Sequence, residues 1–254
     1  MLTHHPPALL PLTCNKVVAR NEAKQGWTTV LLEEIGTGPH GDLASLVSAW
    51  VRGWVISRAT PPPTRVPGGW RVDVGLHAHR LRYVLHDPDE QTLAWLGRHQ
   101  NAPGTWIKIA GNPNHLRAAL PAEWRLADTG YLMTTTYRAA SDATPPSPYT
   151  ARLETSGDVV TAIILDPEGQ VAASGRFTTA DALGIVDQVE TAPAHRRRGL
   201  GSVVMRALAL HALRVGADTG VLVATDEGHR LYRALGWKVR TPIAAAYMPE
   251  PRSA

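Results

Sequence analysis

The chain has 254 residues, of which 44% are hydrophobic and 19% are charged. This composition is typical of a globular protein and excludes a disordered or fibrous one. No apolar run approaches the roughly 18 residues that a membrane-spanning helix needs, and the proline-interrupted start lacks the pattern of a secretory signal. A single cysteine, Cys14, cannot form an internal disulfide. We therefore expect a reducing, cytoplasmic location and no membrane partner.

The net charge of +4 is spread along the chain rather than concentrated in one segment. Nucleic-acid-binding proteins usually carry a clustered basic surface. We therefore predict no nucleic-acid partner, and binding through the short basic run 195–198 stays only as an alternative.

The first half of the chain alternates helical and strand patterns. Apolar spacing predicts a helix over 41–58, capped by Asp42. Further strands are predicted at 70–76, 80–87, 105–111 and 130–137, and helices at 87–100 and 112–120. These elements indicate a mixed α/β domain over residues 1–140, and we find no chemical motif in it.

A proline-rich stretch separates the two halves. Residues 139–148 contain three prolines among small polar residues, a composition that sustains neither a helix nor a central strand. We predict a linker here and a second domain over 149–254.

The second half has a clearer order. Three strands at 149–156, 159–166 and 170–178 are joined by turn signals and followed by a fourth at 183–190. A helix over 199–215, a strand over 219–225, a helix over 226–236 and a final pair of short strands over 237–248 complete the chain. The order strand, helix, strand predicts two parallel strands in an α/β fold with a mixed sheet.

A basic and glycine-rich sequence lies where the helix over 199–215 begins. Arg196, Arg197 and Arg198 lead directly into Gly199 and Gly201. The start of a helix presents unpaired N–H groups and about half a positive charge. Glycines let a bulky anion approach this backbone, and arginines bind further oxygens. The pattern therefore predicts a phosphate site.

This sequence resembles the R-x-x-G-x-G signature of the GCN5-related N-acetyltransferases, the GNAT superfamily. The later segment "LYRALGW" is similar to that family's LYxxLGF element, and the resemblance covers about residues 149–249. It implies the acyl-CoA N-acyltransferase fold in the C-terminal half, with acetyl-CoA as the co-substrate and no metal.

The resemblance also implies roles for individual residues. Main-chain groups at the end of the fourth strand would bind the pantetheine arm along a bulged strand, and residues at the helix start would bind the diphosphate. Tyr232 would lie near the coenzyme sulfur and protonate the departing thiolate. The implied coenzyme-binding residues are Val189, Glu190, Thr191, Arg196, Arg197, Arg198, Gly199, Leu200, Gly201, Ser202 and Tyr232.

The general base is less clearly indicated. Where some family members carry a glutamate, this chain has Ile185, which cannot accept a proton. Asp187 lies two residues further on the same strand face, and Glu190 lies close to the expected bulge. We therefore consider Asp187, Glu190 or a water relay as the base. Asp187 could equally be a strand-face carboxylate paired with an arginine.

One departure from the family concerns the acceptor side. Family members place two helices between the first two strands, whereas this chain has only a short turn there. We predict that the N-terminal domain, with its helix over 42–58, replaces the missing wall. This domain could itself be a degenerate GNAT-like copy.

Two functions follow from this reading. The first is an acetyl-CoA-dependent N-acetyltransferase that acts on a primary amine of a small molecule or peptide. The second is a catalytically weak or inactive acyl-CoA-binding regulatory protein with the same fold. Either function is compatible with a monomer or a homodimer.

Overall fold

A computed structural model describes residues 42–138 and 142–251, which all fall within one compact unit. Cys14 and part of the predicted linker lie outside the described residues. The helices are α1 (Leu43–Ser57), α2 (Glu90–His99), α3 (Pro113–Ala119), α4 (Leu200–Arg214) and α5 (Gly228–Ala234). The first strands are β1 (Thr64–Val66), β2 (Gly69–Leu76), β3 (His79–Leu85), β4 (Thr105–Ala110) and β5 (Arg125–Thr136). The later strands are β6 (Thr150–Ser156), β7 (Val159–Leu165), β8 (Val171–Ala180), β9 (Leu183–Thr191), β10 (Thr219–Ala224) and β11 (Lys238–Tyr247).

The strands form one sheet in the order β1-β2-β3-β4-β11-β5-β10-β9-β8-β7-β6. Strands from the segments 1–140 and 149–254 alternate at its centre, because β5 pairs with both β10 and β11. The predicted boundary near residue 140 therefore separates two halves of one continuous sheet.

Each half repeats the same order of elements. In the first half α2 joins the parallel strands β3 and β4, and α3 leads into β5. In the second half α4 joins the parallel strands β9 and β10, and α5 leads into β11. The last strand of each half pairs antiparallel with the second strand of the other half's parallel pair, β5 with β10 and β11 with β4. This repeat supports the reading of the first half as a second copy of the fold.

Helix α1 packs across the sheet rather than beside a single strand. Its buried side chains form one cluster with residues of β2, β3, β9 and β10. Helix α4 covers the opposite face of β7, β8 and β9, where its leucines and valines join a second cluster. A third cluster lies beneath α2 and α3. The α1 face and the α4 face of β9 are thus both covered by helices, which fixes the position of this strand.

Three elements differ from the sequence prediction. The predicted pair of short strands over 237–248 was wrong, since a single ten-residue strand β11 runs there with two register shifts. At each shift the alternation of residues along the strand is interrupted, so one bent strand has the sequence pattern of two short ones. Strand β5 starts at Arg125 rather than at residue 130. The three-residue edge strand β1 lies between the predicted helix over 41–58 and the predicted strand at 70–76, where no element was predicted.

No described helix combines the length and the apolar content that crossing a membrane requires.

Gly53 is where α1 comes closest to β9. A Cβ at this position would lie 2.4 Å from Cγ1 of Ile185. We expect Gly53→Ala to push α1 off the sheet and to lower the unfolding free energy by about 2 kcal/mol, which outweighs the better helix propensity of alanine. The melting temperature should fall by about 4–8 °C.

The matched control is Gly111→Ala, where a Cβ would meet no atom closer than 3.9 Å. This variant should melt within about 2 °C of the parent protein. Equal melting temperatures for the two variants would contradict the packing of α1 on β9.

Candidate functional site

A cleft opens in the middle of the sheet, where β9 and β10 separate. These strands pair only at two positions, Gly184 with Gly220 and Ile185 with Val221. Beyond them β9 carries a bulge, because Gln188 and Val189 stand opposite the single residue Gly175 of β8. Gln188 adopts a φ of 51°. A bulge bends its strand, so the end of β9 points away from β10. The strand ends thus form the two sides of a wedge.

The start of α4 closes one end of the wedge. Three other helices are capped by the side chains of Asp42, Asp89 and Asn112, each of which accepts a hydrogen bond from a backbone N–H group. Helix α4 begins at Gly199 without such a bond and without an acidic residue in its first turn. Gly199 has a φ of 79°, a conformation that L side chains rarely adopt. The free N–H groups and the positive end of the helix therefore face the cleft.

The cleft has a volume of about 830 Å³ and is lined by most of the residues predicted to bind coenzyme. These are Val189, Glu190, Thr191, Arg196, Arg197, Gly199, Leu200, Gly201, Ser202 and Tyr232. Arg198 is directed elsewhere, since its Nη1 donates a hydrogen bond to the hydroxyl of Tyr149 at 2.7 Å. That hydroxyl also lies 3.0 Å from Nδ1 of His195. Arg198 therefore stabilises the loop before α4 and does not line the cleft.

Two glycines allow the walls of the cleft to come together. A Cβ at Gly201 would lie 3.1 Å from Cδ2 of Leu231, so the bare position lets the Leu231 side chain of α5 lie close to α4. A Cβ at Gly175 would lie 2.6 Å from Cγ1 of Val204. Gly175 is also the residue opposite the bulge, and the sequence analysis did not single it out. A lone glycine within a strand pattern carries this signal only weakly.

Tyr232 reaches the cleft from α5. Its side chain is 8% exposed and packs in the cluster beneath α4. Burial, and next the negative charge of Asp187, raise the pKa of Tyr232 to about 12. The phenol therefore keeps its proton at any neutral pH and can donate a hydrogen bond into the cleft.

Asp187 is bound on the α1 side of β9. Its carboxylate accepts two hydrogen bonds from the guanidinium of Arg58, at 2.8 and 3.0 Å, and one from the hydroxyl of Ser57 at 3.1 Å. Arg176 of β8 donates to the carbonyl oxygen of Ser57 at 2.7 Å. The end of α1 is thus tied to the strand that carries the bulge. A carboxylate in a two-pronged ion pair has fewer free lone pairs with which to accept a further proton.

Ile185, at the position where some family members carry a glutamate, and the candidate base Glu190 differ in exposure. Ile185 is 1% exposed and packs against α1. Glu190 is exposed at the rim of the cleft, opposite Ser174 in the ladder between β8 and β9. Of the three catalytic candidates, Tyr232 and Glu190 line the cleft, and Asp187 lies on the other face of the same strand.

Gln188 is a residue of the site that sequence reasoning did not name. Its backbone forms the bulge, and its side-chain Oε1 is buried without a hydrogen-bond partner among the described residues. No composition or spacing signal marks this position. The resemblance implied a bulge in the strand without fixing its residue.

Within the described residues, His, Cys, Asp and Glu side chains form no group of three that could hold a metal ion.

Comparison with known proteins identifies the fold. Residues 119–237 match the model of the Acetyltransferase (GNAT) family. A GCN5-related N-acetyltransferase from Kribbella flavida superposes with a TM-score of 0.60 at 19% identity, covering 83% of this chain and 97% of that one. A GCN5-related N-acetyltransferase from Sphaerobacter thermophilus superposes with a TM-score of 0.54 at 14% identity, covering 74% and 79%. A search of curated proteins finds no match.

The structural neighbours have the same fold as this chain over most of its length. The fold is that of the GNAT acetyltransferases. Residues 119–237, which include β9, α4 and β10, form the part of the chain that matches the family model. The prediction of a GNAT fold is thereby confirmed.

The ionisation of Tyr232 can be measured directly. We expect absorbance titration to show the same number of ionising tyrosines in the parent protein and in Tyr232→Phe up to about pH 11, because burial keeps this phenol protonated. Asp187→Asn should lower the pKa of Tyr232, since it removes a negative charge that disfavours the phenolate. One additional tyrosine ionising near pH 10 in the parent protein would contradict this assignment.

Proposed function

We propose that the protein is an N-acetyltransferase that transfers an acetyl group from acetyl-CoA directly to a primary amine of a small molecule or peptide. The observation that carries this proposal is the wedge between β9 and β10, which ends at the uncapped start of α4. Such a wedge offers unpaired strand amides to an extended chain and unpaired helix amides to a diphosphate.

The residues present fit the coenzyme. The N–H groups at Gly199, Leu200 and Gly201 would bind the diphosphate, with Arg196 and Arg197 at the rim. The backbone of Val189 and Thr191 would bind the pantetheine arm as an added strand. The bare positions at the helix start leave room for the phosphate oxygens. When bound, acetyl-CoA would supply the acetyl group through its thioester.

Tyr232 would act on the leaving group. Its hydroxyl would donate a hydrogen bond to the sulfur as the carbon–sulfur bond breaks. A free thiol has a pKa of about 8.5, well below the value of about 12 for Tyr232, so the hydrogen bond stabilises a thiolate rather than delivering the full proton. The departing thiolate then takes its proton from water. A freed N–H group at the bulge would polarise the carbonyl that the amine attacks.

The amine must lose a proton to react, since its ordinary pKa is near 10.4. We propose that water accepts this proton rather than Asp187, because the carboxylate of Asp187 already accepts hydrogen bonds from Arg58 and Ser57. Asp187 would attract the incoming ammonium ion and hold Arg58 in place. It is a positioning residue in this mechanism, and Glu190 at the rim would contribute little.

Coenzyme binding is tested by a charge at the start of α4. Ser202→Asp adds a negative charge where the diphosphate would lie, and the dissociation constant for coenzyme A should rise at least about 100-fold by calorimetry. The same charge favours the helix dipole, so the melting temperature should not fall.

Ser202→Asn is the matched control because it has the same shape without the charge. Its dissociation constant should stay within about fivefold of the parent value. Equal weakening by the two substitutions, or no binding by the parent protein, would refute the coenzyme site.

Turnover is tested at Tyr232. Tyr232→Phe removes a hydrogen bond to a developing charge, so kcat should fall about 10-fold to 100-fold while KM for acetyl-CoA stays within about threefold. Glu190→Gln should leave kcat within about threefold. A Tyr232→Phe enzyme with unchanged kcat would remove Tyr232 from the mechanism.

A non-catalytic acyl-CoA-binding protein is the second candidate. The observation that favours it is Ile185, buried against α1 at the position where a glutamate base occurs in some family members. Release of free thiol from acetyl-CoA in the presence of an amine panel separates the two functions. Coenzyme binding without acceptor-dependent thiol release would favour the regulatory protein.

A further inference from the structure

A group of cationic side chains lies on the α1 face of the sheet, beyond the end of α1. Arg58 ends this helix, Arg82 lies on β3 and Lys108 lies on β4. Val84, two residues along β3 from Arg82, packs in the cluster under α1, so Arg82 lies on this same face. This basic group, defined as Arg58, Arg82 and Lys108, is contributed by three separate elements of the first half.

Indole rings hold the basic group in place. The guanidinium of Arg82 lies 4.5 Å from the ring centroid of Trp54, and that of Arg58 lies 5.0 Å from the same ring. The ammonium of Lys108 lies 5.9 Å from the ring centroid of Trp106. An aromatic face attracts a cation but accepts no conventional hydrogen bond from it. The edge of a stacked guanidinium therefore stays available to an oxygen ligand.

The basic group has too little negative charge around it. Asp187 is the carboxylate closest to it in the contacts described, and Arg58 already forms an ion pair with it. Among the described residues, Arg82 and Lys108 have neither an ion pair nor a hydrogen bond from their side chains. Nε of Arg82 is buried without a partner, and so is Nδ1 of His79, which stacks on Trp106 at 4.6 Å.

The titration behaviour agrees with this charge imbalance. Burial, followed by the charges of Arg82 and Arg58, lowers the pKa of Lys108 to about 7. Burial, followed by Arg58, lowers the pKa of Arg82 to about 10, and the charge of Asp187 partly opposes this shift. The pKa of His79 is also lowered, by burial first and then by Arg82, Lys108 and Arg58.

The basic group lies on the acceptor side of the proposed reaction. Asp187 connects the two regions, because its charge affects both the pKa of Arg82 and the pKa of Tyr232. The coenzyme cleft and Tyr232 lie on the α4 face of β9, and Arg58 contacts Asp187 on the α1 face. An acceptor that approaches the wedge from the α1 face would therefore pass the basic group.

We infer that the acceptor carries an oxyanion, a carboxylate or a phosphate, which Arg82 and Lys108 bind while its amine reaches the wedge past Asp187. This inference rests on the proposed function and names the substrate class of that site. Asp187 would attract the ammonium end and the basic group the anionic end. A two-ended acceptor would thus be both oriented and selected against neutral amines.

The binding test uses inorganic phosphate and acetate with coenzyme A present at saturation, so that the start of α4 is not the site observed. Phosphate or acetate, compared with sodium chloride at equal ionic strength, should raise the melting temperature of the parent protein by about 2–5 °C. The rise should be lost in Arg82→Gln and in Lys108→Met. An equal rise in all variants would overturn the inference.

The control is Arg65→Gln, which removes an arginine stacked on Trp70 at 4.6 Å on another part of the first half. This variant should keep the stabilisation by phosphate and acetate. Without added anion, Arg82→Gln and Lys108→Met should melt no lower than the parent protein, because each removes a charge that its neighbours repel. A large loss of stability would assign these residues to the core instead.

The kinetic test compares amines that differ by one anionic group. The pairs are 4-aminobutanoate with butylamine and 2-aminoethyl phosphate with 2-aminoethanol, which also separate carboxylate from phosphate. In at least one pair, the anionic member should have a kcat/KM about 10-fold to 100-fold higher, and Arg82→Gln should abolish this preference mainly through KM.

Acetylation without any preference for the anionic amines would overturn the inference and leave the proposed function intact. Conversely, absence of coenzyme binding together with a stabilisation by phosphate that Arg82→Gln and Lys108→Met remove would refute the proposed function and keep the anion site. The thermal measurement decides the inference even where no amine of the panel is acetylated.

Discussion

The separation of β9 from β10 is the constraint on which the site depends. Two parallel strands that stayed paired would bond to each other through the backbone groups that face each other, and would leave no room between them. Here the ladder stops after two residue pairs, and the bulge at Gln188 and Val189 turns β9 away. Packing on both faces holds this bent strand, with α4 on one side and α1 on the other. The open wedge is therefore a rigid feature of the fold.

The α1 side of β9 is built from parts of the chain that lie far apart in sequence. Ser57 and Arg58 at the end of α1 bind Asp187, about 130 residues later, and Arg176 binds the end of the same helix. A single strand, β9, thus carries the cleft on one side and the end of α1 on the other. That the first half replaces the missing family helices stays a prediction.

The sequence predicts the parts of this site that depend on local chemistry. Glycines at 199 and 201 beside a helical pattern identify the start of α4, and strand alternation places Ile185 and Asp187 on one face. The sequence does not predict that Arg58 binds Asp187, or that Arg198 donates a hydrogen bond to Tyr149, because these contacts join distant segments. The sequence also does not predict that β5 and β11 each pair with strands of the other half, since a local pattern does not specify which strands become neighbours.

Among the described residues, the two halves of the repeat differ where the second half has its cleft. The equivalent strands of the first half, β3 and β4, stay paired over five positions, from Leu81 with Thr105 to Leu85 with Ile109. The equivalent helix α2 is capped by Asp89 and has Glu90 in its first turn, so its positive end is already satisfied and repels an anion. With its wedge closed, this half is free to contribute side chains instead of backbone. Arg82 and Lys108, whose side chains have neither an ion pair nor a hydrogen bond among the described residues, lie on these paired strands, on the face that carries α1.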